Sequence, residues 1–177
     1  MSIIDSILNV FLGDKGKKDV KEVTPIVNSV TKFEEELSII SNDQLRSITQ
    51  EFKDEIKQLK DPFSREIEDI NKIIEKSENI DENNASYKQI KKIQDQYLDK
   101  LDDYLNSILP KAFAVVKETT KRFKNNKEIS VKATPFDENL SSIKSYVKLN
   151  GNSAIWSNSW DAAGKSITWD MIHYDVQ

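Results

Sequence analysis

The sequence predicts a mainly α-helical fold of the α+β class, with amphipathic helices, a long antiparallel helical hairpin and a small antiparallel β element near the C-terminus. Three observations support this prediction. The composition favours helix, because 32% of the 177 residues are charged and only 4 are Gly and 4 are Pro. Apolar residues recur at intervals of three and four over most of the chain. All three Trp residues lie in the last quarter, where apolar and polar residues alternate.

Composition and charge exclude several classes of function. The 26 basic and 30 acidic residues give a formal net charge of −4, which offers no electrostatic support for binding nucleic-acid phosphates. The chain contains no Cys, which excludes disulfides, thiolate metal sites and Cys catalysis, and its single His excludes metal sites built on two or more histidines. No apolar run approaches the ~20 residues that a transmembrane helix needs.

The first residues predict a short amphipathic helix that ends at Gly13. Its apolar stripe consists of Ile3, Ile4, Ile7, Leu8, Phe11 and Leu12. A basic collar follows, with Lys15, Lys17 and Lys18 interleaved with acidic residues. The helix either binds a membrane surface or a partner, or it docks on the core of its own chain. The segment lacks the features of a secretory signal, so we expect a cytoplasmic protein.

Residues 20–40 keep helical spacing, and Pro25 predicts a helix start or a kink within them. Ser41 followed by Gln44 is a capping-box pattern that begins the next helix. We expect Asp61-Pro62 to break or restart that helix. The apolar stripe on both sides of this point consists of Leu45, Ile48, Phe52, Ile56, Leu59, Phe63, Ile67, Ile70 and Ile74.

A polar turn at residues 78–84 separates this helix from a second long helix, and the two would pack as a hairpin with a coiled-coil-like seam. The stripe of the second helix consists of Tyr87, Ile90, Ile93, Tyr97, Leu101, Tyr104 and Ile108. Pro110 is expected to restart the helix. The residues predicted to mark the buried side after this restart are Phe113, Val116, Thr120 and Phe123.

The pattern then changes to that of β-strands. Alternation at residues 129–133 predicts one strand, and residues 146–149 and 154–156 predict a hairpin with a two-residue turn at Asn150-Gly151. The Trp residues nearby predict a small aromatic core.

Two features invite a catalytic interpretation. Gly164-Lys165-Ser166 ends like a phosphate-binding loop, but Ser159 stands where that motif needs Gly, and residues 167–169 predict a strand where a helix is required. We therefore expect a turn ahead of a strand. His173 could act as a general base, but no partner constellation accompanies it, so a surface or packing role is favoured.

Three stretches resemble the amino-terminal segment of the SecA family of bacterial translocation ATPases. They are SNDQLR from Ser41 with EFK from Glu51, ILPKAFAVVKETTKR over residues 108–122, and MIHYDVQ over residues 171–177. The resemblance covers residues 1–61, 105–123 and 169–177. Residues 62–104 and 124–168 look like insertions of a kind associated with the Bacteroidetes branch. The sequence stops within an apolar pattern, so we expect a longer parent protein.

The resemblance implies that Gln177, in the Q motif, would bond the adenine edge of ATP or ADP, with Met171 and Tyr174 beside the base. The phosphate-binding loop and the acids that hold Mg²⁺ are absent, so we expect neither tight nucleotide binding nor hydrolysis by this chain alone. The family also implies a peripheral location at the inner membrane. The partners that it implies are the SecYEG channel, preproteins, anionic lipids contacted by the amino-terminal helix, and a second copy in a homodimer.

The expected organisation has five segments: amphipathic helices (1–61), the hairpin (62–109), a continuing helix (110–123), a β-rich insertion (124–168) and the start of a nucleotide-binding domain (169–177). Two other hypotheses stay open. One is a helical adaptor that binds a protein through the hairpin, and the other is an independent nucleotide-binding enzyme that uses Gly164-Lys165-Ser166.

Overall fold

A computed structural model of the chain describes residues 14–174. For residues 14, 15 and 17 it describes the backbone but not the side chain. It confirms the predicted fold class. The elements in chain order are α1 (Asp14–Ser38), α2 (Asn42–Ile74), α3 (Ile80–Asn125), β1 (Glu128–Lys132), α4 (Pro135–Ile143), β2 (Val147–Asn150), β3 (Ser153–Ser157), β4 (Ser159–Ala162) and β5 (Lys165–Thr168). They form two compact units: Arg46–Leu109, and the described residues up to Leu45 together with those from Pro110 onward.

The long helices pass through their prolines without ending. Pro25 lies inside α1, Pro62 inside α2 and Pro110 inside α3, so the predicted helix start at Pro25, break at Pro62 and restart at Pro110 are wrong. Each proline removes one backbone hydrogen bond at a cost of about 3 kcal/mol. The apolar stripes continue on both sides of each proline, and their packing offsets that cost.

Side chains at the helix starts set where α2 and α3 begin. The Ser41 hydroxyl accepts from the Gln44 N–H at 3.2 Å, and the Gln44 side chain accepts from the Ser41 N–H at 2.9 Å, which confirms the predicted capping box. Asn79 accepts from the Asp81 N–H at 3.0 Å. Because Asn79 caps α3, that helix starts at Ile80. The connection between α2 and α3 is therefore shorter than the predicted turn at 78–84 and lies earlier in the chain.

The unit Arg46–Leu109 contains the helical hairpin. Its core consists of Ile70, Ile90 and Ile93, with Phe63, Ile67 and Ile74 packed against them. The Phe63 and Tyr97 rings lie 5.7 Å apart. These are the two stripes that the periodicity predicted to face each other. The hydroxyl of Tyr104 is buried without a hydrogen-bond partner among the described residues. Burial, with the Glu55 carboxylate nearby, raises the pKa of Tyr104 to about 12.

The other unit contains a three-stranded antiparallel sheet in the order β1-β3-β2 and a separate β4-β5 hairpin. Asn150 pairs with Ser153, so the two-residue turn is Gly151-Asn152, one position later than predicted. Gly151 takes φ 57°, which a glycine at the first turn position adopts without strain. Ile129, Val131 and Ala154 form the buried side of the sheet, against Phe123 and Trp156.

Helix α4 was not predicted. The signal was present, because Thr134 precedes Pro135 at the first helical position and Asp137 follows two residues later. One oxygen of the fully buried Asp137 carboxylate accepts from the Thr134 N–H at 2.8 Å and from its hydroxyl at 2.7 Å. The other accepts from Trp156 Nε1 at 3.0 Å. The carboxylate thus fastens the start of α4 to β3.

Candidate functional site

A buried polar cluster lies where α1 ends, α2 begins and the last turns of α3 pass both. We call it the Arg122 node. The Nε of Arg122 donates to Glu118 at 2.8 Å, one terminal nitrogen donates to Asn42 at 2.8 Å, and the other donates to the carbonyls of Leu37 and Ile40 at 2.8 and 2.9 Å. The side chains of Arg122 and Glu118 are only 13% and 6% exposed. Such a fork of charge-assisted bonds fixes geometry as well as supplying energy.

The node satisfies groups that helix termini leave unpaired. The carbonyl of Leu37 lies in the last turn of α1, where carbonyls have no hydrogen-bond donor within the helix. A cation at this end of the helix also interacts favourably with the helix dipole. A second ion pair between distant parts of the sequence joins Lys117 Nζ to Glu34 Oε2 at 3.0 Å. The two side chains are 13% and 22% exposed. Helix α1 is therefore attached to α3 by two cations spaced five residues apart.

The node also explains why the buried side of α3 near its end differs from the prediction. Phe113 and Val116 are 46% and 52% exposed. The buried residues are instead Ala114, Val115, Glu118 and Thr120. The helix turns its charged residues inward because Arg122 and Glu118 pair with each other and with backbone groups. Phe113 and Val116 were thus wrongly predicted as core, whereas Thr120 is buried as expected.

The beginning of α2 holds the outer edge of β1. The Asn42 amide donates to the Ser130 carbonyl at 3.3 Å, and the Asp43 carboxylate accepts from the Lys132 N–H at 2.7 Å. β1 lies at the edge of its sheet, where unpaired backbone groups would otherwise be open to other chains. Asn42 therefore forms hydrogen bonds both with the edge of the sheet and with Arg122.

An aromatic cleft of about 340 Å³ lies between the end of α3 and the β elements. It is lined by Thr120, Phe123, Tyr146, Trp156, Ser157, Asn158, Trp160 and Trp169. The predicted aromatic core is present as ring pairs: Trp160 lies 6.5 Å from Trp169, and Trp156 lies 6.4 Å from Tyr146. The side chain of Asn158 is buried and donates to the Phe123 carbonyl at 3.1 Å.

The segment after β5 is fastened beside this cleft. The Trp169 N–H donates to the Asn158 carbonyl at 2.8 Å, and its indole nitrogen donates to the Met171 carbonyl at 2.8 Å. His173 Nδ1 lies 3.4 Å from the Thr120 hydroxyl. Because that hydroxyl donates to the Lys117 carbonyl at 2.9 Å, we assign the proton of this contact to His173 Nδ1. His173 is half-buried and holds the segment to α3, which is the packing role that the sequence favoured over catalysis.

The predicted nucleotide residues lie at the end of this segment. Met171 is 46% exposed and Tyr174 is 75% exposed, so both present surface to solvent. Gln177 lies outside the described residues, and its predicted adenine contact stays a prediction.

The loop-like sequence Gly164-Lys165-Ser166 is part of a β-hairpin. Ala162 pairs with Lys165, so Ala163-Gly164 is the two-residue turn, and both of its residues have positive φ, 50° and 76°. Ser166 lies in β5, and no helix follows it in the described chain. The expected turn ahead of a strand is confirmed, and in the described chain this hairpin does not lead into the helix N-terminus on which such a phosphate site is built.

The residues predicted to bind a membrane or partner fall mostly outside the described chain. Ile3, Ile4, Ile7, Leu8 and Phe11 precede it, and Lys15 and Lys17 lie on the first turns of α1 with only their backbone described.

The Lys18 side chain is exposed, and its Nζ lies 3.9 Å from Glu22 Oε1. Among residues 14–174, no helix is both long enough and apolar enough to cross a bilayer. Within the same residues, no cluster of His, Asp and Glu is arranged to hold a metal ion.

Comparisons with known proteins agree with the resemblance. The family described as the SecA DEAD-like domain matches residues 8–177. Proteins described as protein translocase subunit SecA are 50% identical to this chain in Flavobacterium psychrophilum and 47% identical in Christiangramia forsetii. Both matches cover 177 residues, which is 100% of this chain and 16% of the relative. The counterpart in Bacteroides fragilis is 36% identical over 98% of this chain and 16% of its own length.

The chain thus spans about one sixth of the length of these relatives. The two matches that cover the whole of this chain include both segments that were interpreted as insertions, 62–104 and 124–168. No solved structure matches the chain significantly.

Proposed function

Because the chain belongs to the SecA family, we propose that it forms the amino-terminal part of an ATP-driven motor that moves preproteins through the SecYEG channel. The observation that best supports this proposal is that two of the stretches carrying the resemblance fold into one site. Asn42 comes from the first stretch, and Glu118 and Arg122 come from the second, and all three meet in the Arg122 node. The node would hold the amino-terminal helices in a fixed position on the parent motor, which acts in the cytoplasm and peripherally at the inner membrane.

We assign this chain the adenine end of the nucleotide site and no catalysis of its own. In this proposal Gln177 bonds the adenine of ATP or ADP, and Met171 and Tyr174 line the base. The exposure of Met171 and Tyr174 leaves both side chains accessible to a nucleotide. The phosphates and Mg²⁺ would be held by residues that lie elsewhere in the parent protein.

Nucleotide binding tests this assignment. In the intact parent protein, Gln177→Ala should raise the Kd for ATP about fivefold, since one such hydrogen bond is worth on the order of 1 kcal/mol. Lys165→Ala is the matched control and should leave the Kd unchanged. The 177-residue chain alone should bind ATP no better than about millimolar in calorimetry. Micromolar binding that Lys165→Ala abolishes would instead establish the independent nucleotide-binding enzyme.

We further propose that the amino-terminal residues bind anionic lipid and the channel. The apolar stripe Ile3, Ile4, Ile7, Leu8 and Phe11 would enter the interface, and Lys15, Lys17 and Lys18 would face the headgroups. Deleting residues 1–12 should weaken sedimentation with vesicles containing anionic lipid, and added salt should weaken the binding of the intact chain because it screens the lysines.

A matched control reverses the charge of two exposed lysines of α2, Lys57 and Lys60, which should not affect vesicle binding. Equal binding by the truncated and intact chains would contradict the lipid assignment while leaving the nucleotide assignment standing.

A helical adaptor that binds a protein through the hairpin is the second candidate. The exposed apolar residues of the hairpin favour it, since Tyr87 and Leu98 are 56% and 57% exposed. Sequencing the gene beyond codon 177 distinguishes the two. An open reading frame that continues into a strand and a glycine-rich phosphate loop supports the motor, and a stop codon supports the adaptor.

A further inference from the structure

Residues 169–174 are held at three points, and we call them the anchored segment. The Trp169 N–H, directly after β5, donates to the Asn158 carbonyl at 2.8 Å. The Trp169 indole nitrogen donates to the Met171 carbonyl at 2.8 Å, and His173 Nδ1 lies 3.4 Å from a hydroxyl of α3. The contacts recur at every second residue of the segment, so the backbone between them has little conformational freedom.

Both outer contacts of the anchored segment lead to the last turns of α3. Asn158 is 8% exposed, and its side-chain amide donates to the Phe123 carbonyl at 3.1 Å. The hydroxyl that His173 contacts belongs to Thr120, which is also 8% exposed. Thr120 and Phe123 are three residues apart and are therefore neighbours on the surface of the helix. Helix α3 thus holds the segment near both of its ends, through two buried side chains.

The anchored segment carries two of the three residues assigned to adenine. Met171 and Tyr174 expose 46% and 75% of their surface, although the backbone that carries them is tied down. Met171 is fixed through its own carbonyl, and Tyr174 directly follows the contact made by His173. A binding surface that is ordered before its ligand arrives loses less conformational entropy on binding than a loose one, so it binds more tightly.

We propose that Trp169 and His173 are positioning residues for the adenine of ATP or ADP. They do not touch the base themselves; they preset the backbone of Met171 and Tyr174, which do. The β-rich segment 124–168 takes part, because it supplies the acceptor for the Trp169 N–H. This inference rests on the proposed function, which assigns the adenine to this part of the chain.

Calorimetry on the intact parent protein tests the proposal with two probes, ATP and inorganic tripolyphosphate, which lacks adenine. Trp169→Phe removes the indole N–H but keeps an aromatic ring, and it should raise the Kd for ATP about fivefold, as expected for the loss of one hydrogen bond. The Kd for tripolyphosphate should not change, because the proposed function places the phosphates on residues elsewhere in the parent protein. Trp160→Phe makes the same substitution in the neighbouring ring of the aromatic cleft and should change neither Kd.

His173 supplies a second test at the other end of the anchored segment. His173→Ala removes the donor to Thr120 and should raise the Kd for ATP severalfold, again without changing the Kd for tripolyphosphate. His173→Asn keeps a nitrogen donor near the position of Nδ1 and should return the Kd for ATP to within about twofold of the wild type.

Two results would overturn the proposal. One is a Kd for ATP that stays unchanged in both Trp169→Phe and His173→Ala. The other is a Kd for tripolyphosphate that rises as much as the Kd for ATP, because that pattern marks a loss of folding and not of adenine positioning.

Gln177→Ala separates a failure of this inference from a failure of the proposed function. If Gln177→Ala raises the Kd for ATP while Trp169→Phe and His173→Ala do not, the positioning roles alone are wrong. If Gln177→Ala also leaves the Kd unchanged, the adenine assignment is wrong, and the positioning roles are wrong with it.

Discussion

Replacing Arg122 with Met is the sharpest test of the idea that the Arg122 node holds the amino-terminal helices. Met keeps much of the volume and the helix propensity of the arginine stem but donates no hydrogen bond. The change removes four bonds of 2.8–2.9 Å to Glu118, Asn42, Leu37 and Ile40.

The cost follows from what the substitution leaves behind. The Glu118 carboxylate, 6% exposed, would keep Lys121 at 3.7 Å as its remaining cation. Removing one partner of a buried ion pair costs about 3–5 kcal/mol, because the other charge stays buried. Arg122→Lys should fall between Met and the wild type, because lysine keeps the charge but lacks the planar fork that reaches several acceptors together.

Urea unfolding followed by Trp fluorescence measures this cost. All three Trp residues lie in the unit that contains Arg122, so their signal reports that unit separately from the hairpin. Arg122→Met should lower its unfolding free energy by about 3–5 kcal/mol. Arg65→Met, an exposed arginine of α2, should cost less than about 0.5 kcal/mol. In the double variant with Glu118→Met the cost should be smaller than the sum of the single costs, by about 0.5–3 kcal/mol.

A loss below about 1 kcal/mol for Arg122→Met would refute the reasoning, because it would mean that the four bonds stabilise no more than an exposed pair does. Strictly additive costs for Arg122→Met and Glu118→Met would refute the pairing of the two side chains. Circular dichroism of the folded variants checks that helix content is preserved before unfolding is compared.

Two further predictions concern the hairpin. Ile93→Ala should lower its unfolding free energy by about 2–5 kcal/mol in thermal denaturation followed by circular dichroism, whereas Ile73→Ala, at a site 60% exposed, should cost less than about 0.5 kcal/mol; equal costs would contradict the assigned core. Burial, aided by the Glu55 carboxylate, raises the pKa of Tyr104 to about 12, so its neutral form is favoured in the folded state. The stability that Tyr104 contributes is therefore complete below the unfolded pKa of about 10 and is lost as the pH rises from there towards 12. Urea midpoints between pH 9 and 11 should fall more steeply for the wild type than for Tyr104→Phe, and parallel slopes would contradict this account.

Local and periodic signals in the sequence predicted the core of the hairpin and the start of α2. The stripe around Ile70 and Ile93 is set by helical spacing alone, and the capping box at Ser41 requires only residues three apart. The prolines were misjudged because the cost of one proline is local, whereas the stripes that offset it extend over helices of 25 to 46 residues.

The Arg122 node could not be found by the same reasoning. Apolar periodicity treats Glu118 and Arg122 as solvent-facing, and it therefore assigned the buried side of α3 to Phe113 and Val116. The available signal was the spacing of four between Glu118 and Arg122, which permits an ion pair but does not show that the pair is buried. Burial depends on acceptors from α1 and from Asn42, about 80 residues away in the chain.

Several of the positions that identify the family are therefore not those that would contact its nucleotide. Asn42, Glu118 and Arg122 lie within the recognisable stretches, and their side chains are used in fastening α1, α2 and α3 to one another. An arginine that donates to four fixed acceptors tolerates few replacements, since lysine cannot reach the same set of acceptors and an apolar residue leaves the Glu118 charge without this partner. Strong sequence constraint can thus come from a structural cluster as readily as from chemistry. A substitution at Arg122 should act by loosening the amino-terminal helices, so its signature should be lowered stability rather than a changed Kd for ATP.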